Sequence, residues 1–165
     1  MRPVVLVVLG VACGGGAEVG GTEPLRLRAT VGQPYDDTVR FAAPAVARRC
    51  ADGRSVLLEG AGERGDGVLV LLRAGDSLNP TPSGSFSLLT FGDSTTPRGA
   101  RVAVRYMTRD VAHGFTLDSG VVEVTVAGAV LGARVRGTGL DGSTRASLDA
   151  EYTGVSFAPA AVSCR

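Results

Sequence analysis

Three residues of this chain have side chains that could together hydrolyse an ester: Ser77, Asp110 and His113. Ser77 follows the apolar run 67–72, and His113, the only histidine, stands three residues after Asp110. In a serine hydrolase a histidine accepts the proton of the serine hydroxyl, and an aspartate orients that histidine. The residue types therefore permit nucleophilic catalysis, provided that the fold brings the three side chains together.

The residues around this set resemble the motifs of the GDSL family of esterases and lipases. Gly75-Asp76-Ser77-Leu78 is similar to the first motif, and Asp110-Val111-Ala112-His113 is similar to the last. The resemblance implies Ser77 as the nucleophile, His113 as the base and Asp110 as its orienting group, on an α/β fold. However, the motifs lie too close together to enclose that fold's strands and helices, and Asn79-Pro80-Thr81-Pro82 follows where a helix should begin. We therefore predict that the chain is not an enzyme, and the esterase is the alternative.

The N-terminus has the pattern of an export signal. Arg2 precedes a short apolar run from Pro3 to Ala12, which is too short to span a bilayer, and Cys13 follows it. This pattern resembles a bacterial lipoprotein signal, which implies cleavage before Cys13 and acylation of its sulfur. We predict a signal peptide over 1–12, and a lipidated Cys13 with a Gly-rich linker over 13–24. Two alternatives stay open: ordinary signal-peptidase cleavage after Ala12, or a buried N-terminal strand in a cytosolic protein.

The number of cysteines agrees with export. The chain has three cysteines, and an odd number is unexpected in an exported protein unless one thiol has another use. Lipidation of Cys13 leaves Cys50 and Cys164, and we predict a disulfide between them. The alternative is two unpaired buried thiols, which would behave as small apolar side chains.

The charge of the chain argues against several classes of partner and cofactor. The 17 basic residues are all arginines, and 16 acidic residues oppose them. Removal of Arg2 with the signal peptide leaves a net formal charge of zero, so we expect no nucleic-acid binding. The absence of lysine excludes Schiff-base chemistry and a Walker-type phosphate loop. With one histidine and dispersed aspartates, we expect neither a metal site nor a cofactor.

The remainder of the chain alternates β-like runs with turn signals. Residues 100–107 and 120–127 alternate with period two, and Asp118-Ser119-Gly120 and Asp141-Gly142 are typical of turns. We therefore predict one all-β domain over 25–165, an antiparallel β-sandwich or small β-barrel of about 8–9 strands. The strand pattern from Gly84 to Cys164 is similar to that of small all-β envelope lipoproteins of unknown function, and this resemblance implies no particular activity.

These features together predict an exported protein, held in the cell envelope by the acylated Cys13. Gly14 stands where inner-membrane lipoproteins carry an aspartate, so we expect the outer membrane, with the domain facing the periplasm or the surface. The predicted role is a non-catalytic binding, scaffolding or assembly module. Its partners would be the lipid bilayer and an envelope protein or small ligand. A carrier that holds an apolar molecule inside a barrel is a further alternative.

Overall fold

A computed structural model describes residues 26–32, 38–75, 81–90, 93, 95–96 and 98–164. These residues form ten β-strands and no helix, which confirms the predicted all-β class. The strands are β1 (Leu27–Gly32), β2 (Thr38–Ala43), β3 (Ala45–Arg49), β4 (Ser55–Ala61), β5 (Gly67–Ala74), β6 (Gly84–Ser87), β7 (Arg98–Thr108), β8 (Val111–Ala127), β9 (Val130–Asp141) and β10 (Thr144–Ser156).

The strands form a nearly closed antiparallel barrel in the order β2-β1-β10-β9-β8-β7-β5-β4-β3, and β6 pairs with β8. The barrel closes because β2 and β3 are consecutive around Pro44, with β2 paired to β1 and β3 paired to β4. On its other edge, β3 lies beside the segment after β10, through bridges from Ala47 to Phe157 and from Cys50 to Val162. The junction of β2 and β3 thus makes one corner of the barrel, as in orthogonal β-packings.

The barrel has two halves, which we name by their strands. Half A contains β2, β1, β10, β9, the second part of β8 and β6; half B contains β3, β4, β5, β7 and the first part of β8. Strand β8 passes from one half to the other, because residues up to Thr116 pair with β7 and residues from Leu117 pair with β9. A register shift between Leu117 and Ser119 marks the crossing.

The predicted turn at Asp118-Ser119-Gly120 is therefore wrong, since these residues form the bend inside β8. Gly120 has a φ of 138°, and a Cβ there would lie 2.1 Å from the carbonyl oxygen of Arg136. On β9, a Cβ at Gly139 would lie 2.1 Å from the carbonyl oxygen of Thr116. The two backbones approach closely at this corner, and only glycine permits that approach.

Apolar side chains from both halves fill the interior. The largest of the fully buried side chains are Tyr106, Tyr152, Phe86, Leu27, Leu58, Leu72 and Leu131. Tyr152 of half A donates its hydroxyl to the carbonyl oxygen of Val68 in half B at 2.6 Å. Burial, with a smaller contribution from the charge of Glu59, raises the pKa of Tyr152 well above its ordinary value, so this phenol stays protonated.

Candidate functional site

His113 belongs to a cluster that joins three neighbouring strands. It lies directly opposite Tyr106 in the pairing of β7 and β8, and the two rings stack with centroids 5.1 Å apart. Asp141, at the end of β9, has one carboxylate oxygen that accepts the Tyr106 hydroxyl at 2.7 Å and lies 3.1 Å from His113 Nδ1. The side chains of His113 and Asp141 are 31% and 18% exposed, so the cluster reaches the surface at one end of the barrel.

The aspartate that contacts His113 is not the one in the sequence motif. Asp110 lies in the tight turn between β7 and β8 and is exposed, whereas Asp141 holds the imidazole. The turn requires a residue in the left-handed backbone conformation, and Arg109, beside Asp110, adopts it with a φ of 56°. Ser77 lies outside the described residues. The contacts seen at His113 are with Tyr106 and Asp141, which the sequence motif missed.

The cluster can orient an imidazole. A carboxylate bonded to Nδ1 leaves Nε2 as the nitrogen that could exchange a proton, which is the arrangement of base and orienting group in hydrolases. The same bonds also connect β7, β8 and β9 at their ends, and Tyr106 is fully buried. Buried polar groups need such partners for stability alone, so the geometry has a structural explanation as well.

The disulfide joins Cys50 to Cys164, as the cysteine count predicts. Their Cα atoms are 5.5 Å apart across a sequence separation of 114. The last residues lie along β3, since the amide of Val162 donates to Arg49 and the carbonyl of Val162 accepts from Ala51. The C-terminal segment is thus held on the edge of half B by both hydrogen bonds and a covalent bond. Cys13 lies outside the described residues.

A second polar cluster surrounds Asp93. Its carbonyl oxygen accepts hydrogen bonds from Arg73 Nη1, at 3.3 Å, and from Arg101 Nη2. Its carboxylate accepts the hydroxyl of Thr96 and the amides of Thr96 and Thr95, and these bonds lower the pKa of Asp93 well below its ordinary value. The loop is thereby fixed so that it presents its backbone to two arginines, which carry positive charge on the outer face of half B.

Neither cluster resembles a metal site. In the described part of the chain, no group of three or more His, Cys, Asp or Glu side chains could hold a metal ion. Those same residues include no helix with the length and apolar character needed to cross a membrane.

The fold defines this domain as a nearly closed antiparallel β-barrel with one disulfide. No protein-family model, curated protein or solved structure matches the chain.

Proposed function

We propose that this chain is an exported lipoprotein whose barrel acts in the cell envelope as a non-catalytic binding, scaffolding or assembly module. The observation that carries the proposal is the Cys50–Cys164 disulfide. Of the three cysteines in the sequence, this bond leaves Cys13, which directly follows the apolar run and precedes a glycine-rich stretch. That position suits an acylated cysteine, with the glycines as the tether to the barrel.

The disulfide supports export because such bonds persist in oxidising compartments and are rare in the cytosol. A barrel that carries one is expected to mature outside the cytosol. Since Gly14 replaces the aspartate of inner-membrane lipoproteins, we place the anchor in the outer membrane, where the bilayer is the first partner of the protein. An envelope protein or a small ligand would be the second partner.

The mass of the N-terminal peptide tests the anchor. The full chain would be expressed in a bacterial host and recovered from membranes, with a Cys13→Ser variant as the control. We expect a peptide that begins at Cys13 and carries diacylglycerol, and we expect the control to lose the lipid. An unmodified Cys13 or an intact Met1 would overturn the proposal, since the anchor requires both cleavage and acylation.

The esterase alternative retains one favourable observation, the contact between His113 Nδ1 and Asp141. If Ser77 were a nucleophile, Ser77→Ala and His113→Gln would each abolish hydrolysis of a short-chain ester. We expect no turnover above buffer for the wild-type chain and no change in either variant. Turnover that both substitutions remove would replace the non-catalytic proposal with the esterase.

The carrier alternative requires space inside the barrel. The side chains of both halves meet there, and the hydrogen bond from Tyr152 to Val68 crosses the interior. Packing of this kind supports a domain that presents its outer surface to a partner. Organic extraction of the purified protein should yield no neutral apolar molecule in stoichiometric amount, and recovery of one would favour the carrier.

A further inference from the structure

The outer faces of the two halves differ in character. On half A, charged side chains of opposite sign alternate across the strands: Arg28 faces Glu151, Glu151 faces Arg134, and Arg134 faces Glu123. Such cross-strand pairs suit a face that lies in water. The exposed Leu140 is an isolated apolar residue on this half.

The outer face of half B has leucines where half A has charges. Leu57 lies directly opposite Leu71, and Leu69 lies opposite Ala103. Leu69 is 43% exposed, although it lies in the middle of a strand whose other face is in the core. Glu59, the acidic neighbour of Leu69, is already paired with Arg48 at 3.4 Å. The centre of this face is therefore apolar.

These leucines form the floor of a groove of about 400 Å³. Leu89 and the C-terminal residues Ser163 and Cys164 also line it. The disulfide to Cys50 thus holds one side of the groove in place. Its volume lies in the range of small-molecule sites. A groove with side walls fits a narrow ligand, such as a single alkyl chain, better than it fits the flat surface of another protein.

Arg101 adds a positive charge to the lining of the groove. It lines the groove and lies directly opposite Leu71. Its Nη2 donates to the carbonyl of Asp93, but its Nε is buried and has no hydrogen-bond partner among the described residues. Arg101 is nevertheless a cation in the lining of the groove, and a carboxylate there would complement its charge and accept a charge-assisted hydrogen bond from the guanidinium.

We propose that this groove binds a single-chain amphiphile with a carboxylate head. Its apolar chain would lie on Leu57, Leu69 and Leu71, and its carboxylate would accept from Arg101. The inference names a ligand class for the non-catalytic binding role proposed above and rests on that role. It does not require lipidation of Cys13, so the N-terminal mass and the binding experiment can fail separately.

Titration calorimetry of the full chain with decanoate tests the proposal, with decanol as a neutral probe of the same chain length. We expect decanoate to bind more tightly than decanol. Arg101→Gln should weaken decanoate binding by about tenfold and leave decanol unchanged, because it removes the charged donor. Leu69→Asn should weaken both probes because it removes apolar contact, and the side chain lies outside the core, since it is 43% exposed.

Matched control variants lie on the other half. Arg136→Gln and Leu140→Asn change exposed residues of the same types on half A and should leave both affinities unchanged. If Arg101→Gln does not fold, the comparison of decanoate with decanol on the wild type and on Leu69→Asn still decides the question.

Several results would overturn the proposal. One is the absence of decanoate binding to the wild type. Another is an equal loss in Leu69→Asn and Leu140→Asn. A concentration-dependent dimer that Leu69→Asn dissociates would assign the groove to a second copy. Binding to anionic vesicles but not to decanoate would assign it to a lipid surface.

Discussion

Reduction of the Cys50–Cys164 disulfide should lower the free energy of unfolding by about 5 kcal/mol. The bond closes a loop with a sequence separation of 114, and the chain-entropy relation for a loop of that size gives about 16 cal/mol/K, or about 5 kcal/mol at 25 °C. The reduced barrel should still fold, because the amide of Ala158 donates to Ala47 and the C-terminal segment keeps its bonds to β3. For a domain of this size the loss corresponds to a fall in Tm of roughly 10–20 °C.

Urea unfolding followed by circular dichroism measures this loss. The full chain with Cys13→Ser, which removes the third thiol, would be compared before and after treatment with a phosphine reductant. The same chain with Cys50→Ser and Cys164→Ser is the control, and the reductant should not affect it. A difference of less than about 1 kcal/mol between the oxidised and reduced forms would refute the reasoning. The disulfide would then remove almost no conformational entropy from the unfolded state.

Three further predictions concern the barrel itself. Tyr152→Phe should cost about 1–2 kcal/mol in urea unfolding, because it removes the buried hydrogen bond to Val68; an unchanged midpoint would contradict that bond. Gly139→Ala should cost about 1–3 kcal/mol, because its Cβ would lie 2.1 Å from a carbonyl oxygen. Gly62→Ala, whose Cβ would make ordinary contact at 3.7 Å, is its control and should cost much less. Desolvation acts to raise the pKa of Asp52, but hydrogen bonds from Arg54 and Ser55 outweigh it and lower the pKa below 3.8. The ionised carboxylate therefore stabilises the fold above that pH, and this stabilisation is lost as the pH falls through the folded pKa. Asp52→Asn should therefore reduce the acid-dependent part of unfolding, and an unchanged pH profile would contradict this.

The sequence predicts the strands of this fold better than their boundaries. The alternation in 120–127 is visible because Val122, Val124 and Val126 share one face, opposite Glu123 and Thr125, but β8 begins earlier, at Val111. The first part of β8 escaped detection because Ala112 and Gly114, on its outer face, are small and His113, on the other face, is polar, so no apolar period is visible. The Asp118-Ser119-Gly120 segment carries the residues of a turn, yet it serves as a bend between two sheets.

The contacts of His113 depend on the register of strand pairing, which cannot be read from the sequence alone. Asp110 is near in the chain, but it lies in the turn, whereas Asp141 reaches the imidazole from the far end of β9. Its Asp-Gly pair correctly indicates a hairpin beside β10. Only the pairing of β8 with β9 brings that hairpin next to β7, and this pairing arises from the bend at the barrel corner. A short motif can therefore point to Asp110 where the fold places Asp141 beside the imidazole.

The apolar run that forms the groove is visible in the sequence, but its role can be interpreted only once the sheet is known. An antiparallel strand usually has one face in water, so a continuous apolar run such as Val68 to Leu72 requires cover on both faces. The barrel buries Val68, Val70 and Leu72, and the C-terminal segment and Leu89 cover the other face only in part. Because the disulfide holds that segment, the bond that stabilises the fold also forms one wall of the groove. Reduction should therefore weaken amphiphile binding even where the barrel stays folded.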